Sequence, residues 1–229
     1  MKRSELNKIM KNAVDFMKGM NFHLPAFAFW GPEEWKNKGH EYDEIRDNML
    51  GWDITDFGQE EYYDTGLLMF TLRNGNYQLD KYEKPYAEKV LIVEDSQVTP
   101  YHFHWNKMED IINRGGGNLV VKVFNSTEDE KLADTPVEIS KDGKSMIVDA
   151  GQKLKLTPGE SITITSELYH SFWAEEGTGK TLVGEVSKVN DDTKDNRFLK
   201  KEKTARFPEI IEDEEPVYLL AIEYPAVSE

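Results

Sequence analysis

The sequence predicts a mainly β protein, an antiparallel sandwich or barrel with helices packed on it from the N-terminal side. Three observations predict it. From residue 66 onward, short apolar runs recur at close spacing, separated by turns such as Lys141-Asp142-Gly143-Lys144 and Thr157-Pro158-Gly159. That is the grammar of antiparallel sheets, not of strands alternating with helices. Before residue 66 the strong periodicity is helical. A hydrophobic content of 38% over 229 residues is also enough for a sizeable core.

Ser4 is the expected cap of a first helix, in which Leu6, Ile9, Met10, Ala13, Met17 and Met20 recur at helical spacing. Gly19 and Pro25 mark its end. Pro32-Glu33-Glu34 opens a second, short helix, with proline early and acids at the positive end of the dipole. Residues 36–65 are polar and turn-rich, and Trp30, Trp35 and Trp52 are expected to pack onto the strands beyond them. Strands are expected at Leu67–Leu72, Lys89–Glu94, Thr99–Trp105, Asn118–Phe124, Val137–Ser140 and Met146–Val148. Further strands are expected at Lys153–Leu156, Ser161–Thr165, His170–Trp173, Thr181–Lys188 and Tyr218–Glu223. The charged stretch 189–209 reads as a loop that folds over one face. The expected organisation is one integrated domain, with a helical and irregular cap over residues 1–65 and the barrel over 66–229.

Charge and composition exclude several function classes. Twenty-eight Lys and Arg against 43 Asp and Glu give a formal charge of −15, which disfavours nucleic acid and anionic membrane surfaces. No apolar run approaches the eighteen or so residues of a transmembrane helix, and Met1-Lys2-Arg3 is not followed by the apolar stretch of a signal peptide. The absence of cysteine removes disulfides, zinc ribbons and thiol nucleophiles. The expectation is a soluble, acidic, cytoplasmic protein.

Chemistry concentrates in Pro100-Tyr-His-Phe-His-Trp-Asn-Lys-Met-Glu109. His102 and His104 are two residues apart in a strand-like context, so both side chains leave one face. Glu109 comes after His104 at a distance that lets a tight turn return it on the next strand. Imidazoles with a carboxylate and no thiolate suit a borderline or hard divalent metal. A fourth ligand is expected from elsewhere, and His170 in Leu168-Tyr-His-Ser-Phe-Trp173 is the natural candidate. Taken alone, His170 reads as a packed or surface strand histidine; its weight as a ligand comes from the other three.

These two segments resemble the paired motifs of the cupin superfamily, G-x5-H-x-H-x3,4-E-x6-G and G-x5-P-x-G-x2-H-x3-N. The first runs from His102 to Gly116 without its leading glycine. The second holds Gly159 and His170, but Thr165, Glu167 and Ala174 stand where the pattern has Pro, Gly and Asn. The resemblance implies a jelly-roll barrel. The whole chain is similar to one branch, the D-lyxose isomerase family. The similar stretches are Phe22–Trp30, Leu50–Gly58, Phe70–Gly75, Thr99–Gly117, Val189–Asp192, Asp195–Leu199 and Arg206–Ile210. This implies a metal-dependent aldose–ketose isomerase interconverting D-lyxose and D-xylulose, and also D-mannose and D-fructose. It implies Mn²⁺ as cofactor, with Co²⁺, Ni²⁺ or Fe²⁺ compatible with the same ligands, and a homodimer acting on a free monosaccharide.

Within that implied chemistry, four protein ligands leave positions open for two adjacent sugar oxygens. Lys107, in the turn between His104 and Glu109, is expected to overhang the metal, where a cation would push its pKa down. Its alternative is a solvated turn lysine. Glu185, in the otherwise apolar Thr181-Leu-Val-Gly-Glu-Val-Ser187, is the candidate general base if it faces inward; facing outward it is a surface charge. Phe172 shares its face with His170 and is expected to line the cavity, whereas Trp105 and Trp173 point away. Asp192 and Arg197 are candidates for binding distal hydroxyls, their alternative being solvated loop charges. The rival functions are a cupin Fe(II) dioxygenase, a non-catalytic sugar-binding cupin, and an isomerase of sugar phosphates.

Overall fold

Alternation along the strands sorts the chain into two sheets with an apolar interior between them. The computed structural model describes residues 1–200 and 209–227. Its strands are β1 (Gly51–Thr55), β2 (Leu67–Arg73), β3 (Tyr86–Val93), β4 (His102–Phe103), β5 (Glu109–Gly116), β6 (Leu119–Asn125) and β7 (Val137–Lys141). They continue as β8 (Lys144–Val148), β9 (Lys153–Leu156), β10 (Ser161–Ile164), β11 (Leu168–Ala174), β12 (Thr181–Lys188) and β13 (Arg197–Phe198). The larger sheet has eight strands in the order β1-β2-β3-β12-β5-β10-β7-β8; the smaller has five, β13-β4-β11-β6-β9. Each of these pairings is antiparallel. This is the jelly-roll that the motifs imply.

Inward residues of both sheets form one cluster that includes Leu91, Val93, Ile111, Val121, Val123, Ile162, Phe172 and Val183. The alternate residues of β1–β3 and β12, among them Trp52, Ile54, Leu68, Phe70, Ile92 and Leu182, form a second cluster on the outside. Helix α1 (Arg3–Gly19) covers it with Leu6, Ile9, Met10, Ala13 and Met17, one face of a 3.6-residue period. At β2, β3 and β12 the larger sheet is therefore apolar on both faces, whereas a solvated antiparallel sheet alternates. The short helix α2 (Pro32–Trp35) begins with proline, and its Glu34 carboxylate accepts the Gly31 N–H at 3.0 Å. Trp35 and Trp52 are buried, and the Trp52 indole donates to the Ala28 carbonyl at 2.7 Å.

The structure corrects several expectations. Ser4 does not cap α1; the cap position is Lys2, and the Ser4 hydroxyl binds Asp213 at 2.8 Å. The sheet begins before the boundary expected at residue 65, because β1 pairs along β2. Thr99–Trp105 is extended only at His102–Phe103: Pro100 has no N–H to donate, and the chain turns at residue 105. Tyr218–Glu223 is not a strand. It makes one bridge, Leu220 to Trp52, and closes in a 3-10 turn over Ala221–Glu223 that Glu223 caps at the Leu220 N–H. Strand β5 is an addition to the expected set. Of the similar stretch Arg206–Ile210, residues 206–208 lie outside those described.

Two motif glycines are replaced at positions that still need glycine geometry. Six residues before His102 stands Ser96 with φ 65°, and three before His170 stands Glu167 with φ 61°. A side chain in this left-handed region is strained by about 1–2 kcal/mol. Glu167→Gly relieves that strain and gives back part of it in unfolded-chain entropy. The variant is expected to gain about 0.5–1 kcal/mol, read as a higher denaturation midpoint at unchanged slope.

Candidate functional site

One end of the barrel interior is polar. The inward positions that carry Leu91 and Val93 further along β3 carry Lys89 here; β5 contributes Glu109 ahead of Ile111, and β12 contributes Glu185 beyond Val183. From the smaller sheet β4 brings His102, which pairs directly with His170 of β11. The cavity so formed is lined by Lys89, His102, His104, Lys107, Glu109 and Glu185, with Phe172, Asp192 and Phe198 in its wall.

The three imidazoles converge, with one ring nitrogen of each within 4.8 Å of the others. Their other nitrogens are fixed by backbone. Nδ1 of His102 meets the Pro100 carbonyl at 2.8 Å, Nδ1 of His104 meets that of Asp195 at 2.7 Å, and Nδ1 of His170 meets that of Leu168 at 3.0 Å. A carbonyl only accepts, so in each neutral ring the proton sits on Nδ1 and Nε2 carries the lone pair. Burial, reinforced by the other imidazoles, lowers the His102 pKa well below its ordinary value; burial and, after it, the Lys107 charge lower that of His104. Both shifts favour the neutral ring.

Nε2 of His104 and of His170 is buried without a hydrogen-bond partner. Facing them, Glu109 Oε1 lies 3.5 Å from the first and 3.1 Å from the second. Burial alone would raise the Glu109 pKa, yet Lys107 and His104 hold it well below the usual carboxylate range. Lone pairs aimed at an ionised carboxylate repel unless a cation lies among them. The donor set, imidazole nitrogen with carboxylate oxygen, fits a divalent ion of intermediate hardness.

Lys107 Nζ is 2.7 Å from Glu109 Oε2 and 2.9 Å from Glu185 Oε1, and it donates to Asn190 Oδ1 at 3.1 Å. Burial opposes its charge, but Glu109, Glu185 and Asp192 outweigh burial and raise its pKa above the ordinary lysine value. The protein's own charges thus push Lys107 opposite to the direction expected beside a cation. Lys89 Nζ lies 3.3 Å from Glu185 Oε1 and 3.3 Å from Asp192 Oδ2. Two lysines against three carboxylates leave these described groups at −1, which also favours a cation.

Of the residues singled out in the sequence, His102, His104, Lys107, Glu109, His170, Phe172, Glu185 and Asp192 meet in this cavity. Arg197 does not. In β13 it stands opposite Phe103 while its neighbour Phe198 stands opposite His102, so alternation sends Arg197 to the outer face, where it pairs with Glu130. Trp105 is also outside, its indole 3.3 Å from Glu130. Lys89, Phe198 and Asp195 escape sequence reasoning. Lys89 carries a signal, a lysine on the inward face of an apolar strand; Phe198 and Asp195 carry none, since their positions depend on long-range folding. Asp192 also borders a larger cleft of about 330 Å³. Its buried amides, Asn48 and Asn74, are engaged with each other's backbone, so the chemistry belongs to the smaller cavity.

The description "D-lyxose isomerase" fits a family model matching residues 1–224. The chain belongs to the D-lyxose isomerase family. It is 48% identical over 225 residues to a D-lyxose/D-mannose isomerase of Serratia proteamaculans, covering 98% of each chain. The relation to a D-lyxose/D-mannose isomerase of Escherichia coli O157:H7 has the same identity and coverage. Among solved structures, L-ribose isomerase of Cellulomonas parahominis with L-ribose superposes with a TM-score of 0.62 at 13% identity, over 92% of this chain and 98% of that one. L-ribose isomerase of Acinetobacter sp. DL28 with L-ribose gives 0.60 at 14% identity, over the same shares. At such identities these neighbours speak to the family's fold, a barrel shared well beyond sequence similarity.

Proposed function

We propose that this member of the family is an aldose–ketose isomerase that interconverts D-lyxose and D-xylulose, and also D-mannose and D-fructose, through an enediol. His102, His104, Glu109 and His170 hold a divalent ion, Mn²⁺ in the native protein. The observation that carries the ligand assignment is the pair of orphaned Nε2 atoms facing Glu109 beside a buried Lys107–Glu185 pair. When bound, such an ion polarises the sugar carbonyl and orients two adjacent sugar oxygens.

The chain's own groups do the rest. Glu185 takes the proton from C2 of the aldose and, after that proton exchanges with solvent, delivers a proton to C1. Lys107, kept charged by its carboxylate neighbours, donates to the O1 oxygen as the enediol forms and takes back the O2 proton as C1 is protonated and the ketone forms. Lys89 holds Glu185 and Asp192 by one ammonium, and Phe172 offers an apolar face to the C–H side of the sugar. Five charged side chains in the wall favour a polyol over the apolar substrate that an iron dioxygenase would need. No described helix is long and apolar enough to cross a membrane. Cytoplasmic location and a homodimer belong to the same proposal.

The test is turnover in deuterated water. Protein stripped with chelator and reloaded with Mn²⁺ is expected to convert D-lyxose to D-xylulose carrying deuterium at C1, monitored by NMR, and the stripped protein is expected to be inactive. Failure to convert lyxose or mannose with Mn²⁺, Co²⁺, Ni²⁺ or Fe²⁺ would overturn the reading.

A further inference from the structure

The segment from Val189 to Phe198 crosses the barrel mouth, and Asp195 within it is buried. Its backbone carbonyl receives Nδ1 of His104 at 2.7 Å. Its carboxylate is fully engaged with the turn just after that histidine. Oδ1 accepts the Asn106 N–H at 2.9 Å and the Asn106 amide at 3.2 Å, and Oδ2 accepts the Lys107 N–H at 2.9 Å. The Asp195 N–H in turn donates to the Asp191 carbonyl at 2.9 Å. One residue therefore grips the His104–Glu109 turn twice, at the ring of the first ligand and at the backbone leading to the second.

We propose that Asp195 is a positioning residue for the metal centre: its carboxylate locks the turn between His104 and Glu109 and thereby seats its own carbonyl against the His104 ring. The proposal rests on the ligand assignment given above. Asp195 touches neither metal nor sugar; it acts through the orientation of His104, the spacing to Glu109 and the backbone beneath Lys107. A ligating imidazole whose second nitrogen is held by a fixed acceptor is a better and better-aimed donor. Here the acceptor is main chain, so substitution does not delete it. Substitution loosens it, by removing the three side-chain hydrogen bonds that tie residue 195 to the ligand turn and leaving its backbone bond to Asp191. The same geometry couples the mouth segment to the centre, because Asp192, at the cavity wall, and Phe198, beside His102, lie on that segment. Whatever tightens the ligand turn tightens the cover over the cavity, and the coupling is reciprocal.

The test compares wild type with Asp195→Ala and Asp195→Asn in the full chain, stripped and titrated with Co²⁺. Chelator competition gives the dissociation constant, and the visible d–d absorption reports ligand geometry. Asp195→Ala is expected to weaken Co²⁺ by about 10- to 100-fold and to change the shape of the band. Asp195→Asn, which keeps one acceptor oxygen, is expected to fall between, and it serves if the alanine variant does not fold. A folded variant with wild-type affinity and spectrum would overturn the proposal, and so would one that only melts earlier. Wild type that takes up no Co²⁺ would overturn the ligand assignment and this proposal with it.

Discussion

Glu185→Gln is expected to lower kcat for D-lyxose by about 10²- to 10⁴-fold, the range a positioned general base contributes, with bound metal per chain unchanged. Glutamine keeps the volume of the buried side chain and can still present an oxygen to Lys107 and Lys89, now 2.9 and 3.3 Å from Glu185 Oε1. It cannot take a proton from C2. Exchange of the C2 proton with deuterated solvent falls in step with turnover, which separates lost proton transfer from lost binding. Full exchange at full metal loading would remove Glu185 from the mechanism.

Lys107→Met has the second large effect, and it appears first in stability. The side chain is buried, with Glu109 and Glu185 at 2.7 and 2.9 Å from its ammonium. Methionine fills similar space and leaves two interior carboxylates without their shared counter-charge. Removing one partner of a buried ion pair costs about 3–5 kcal/mol, so the metal-free variant is expected to melt on the order of 10 °C lower. The loss is smaller in Mn²⁺-loaded protein, because a cation on Glu109 replaces part of the lost charge. Turnover falls with metal present. Equal melting of metal-free variant and wild type would contradict the ion-pair description.

The sequence carries the barrel and most of its chemistry, and where it misleads the causes are physical. β9 and β12 are legible to the residue, β9 because Leu154 and Leu156 alternate with lysines, and β12 because Leu182, Val183 and Val186 make a short apolar run between turns. β5 is hidden for a reason tied to function: its inward face begins with Glu109 and its outer face carries Asp110 and Arg114, so the apolar alternation that marks a strand is broken. β1 is hidden among polar turns, with Gly51 at φ 117° opening it. His102, His104 and Glu109 can be found because the turn that carries them is local in sequence. Lys89 and Asp195 are harder, since each acts across the fold, Asp195 on a backbone 88 residues away. Arg197 misleads because a two-residue strand gives no pattern from which to tell inside from outside.

The stitching of α1 to the far end of the chain sets an order in time. Arg3 is buried and gripped by Glu212 and Glu223, and Asn7 donates to the Glu215 carbonyl. Arg3 and Glu212 are 209 residues apart. At about 5–20 residues per second, roughly ten to forty seconds of synthesis separate them. For that interval the helix exists without the partners of its buried arginine, and without β12, which supplies Leu182 to its apolar face. The first element made is thus among the last to be locked. A nascent chain spends most of its synthesis with its most apolar helical face awaiting a sheet that is not yet complete, and that is the window in which chaperones have a surface to hold.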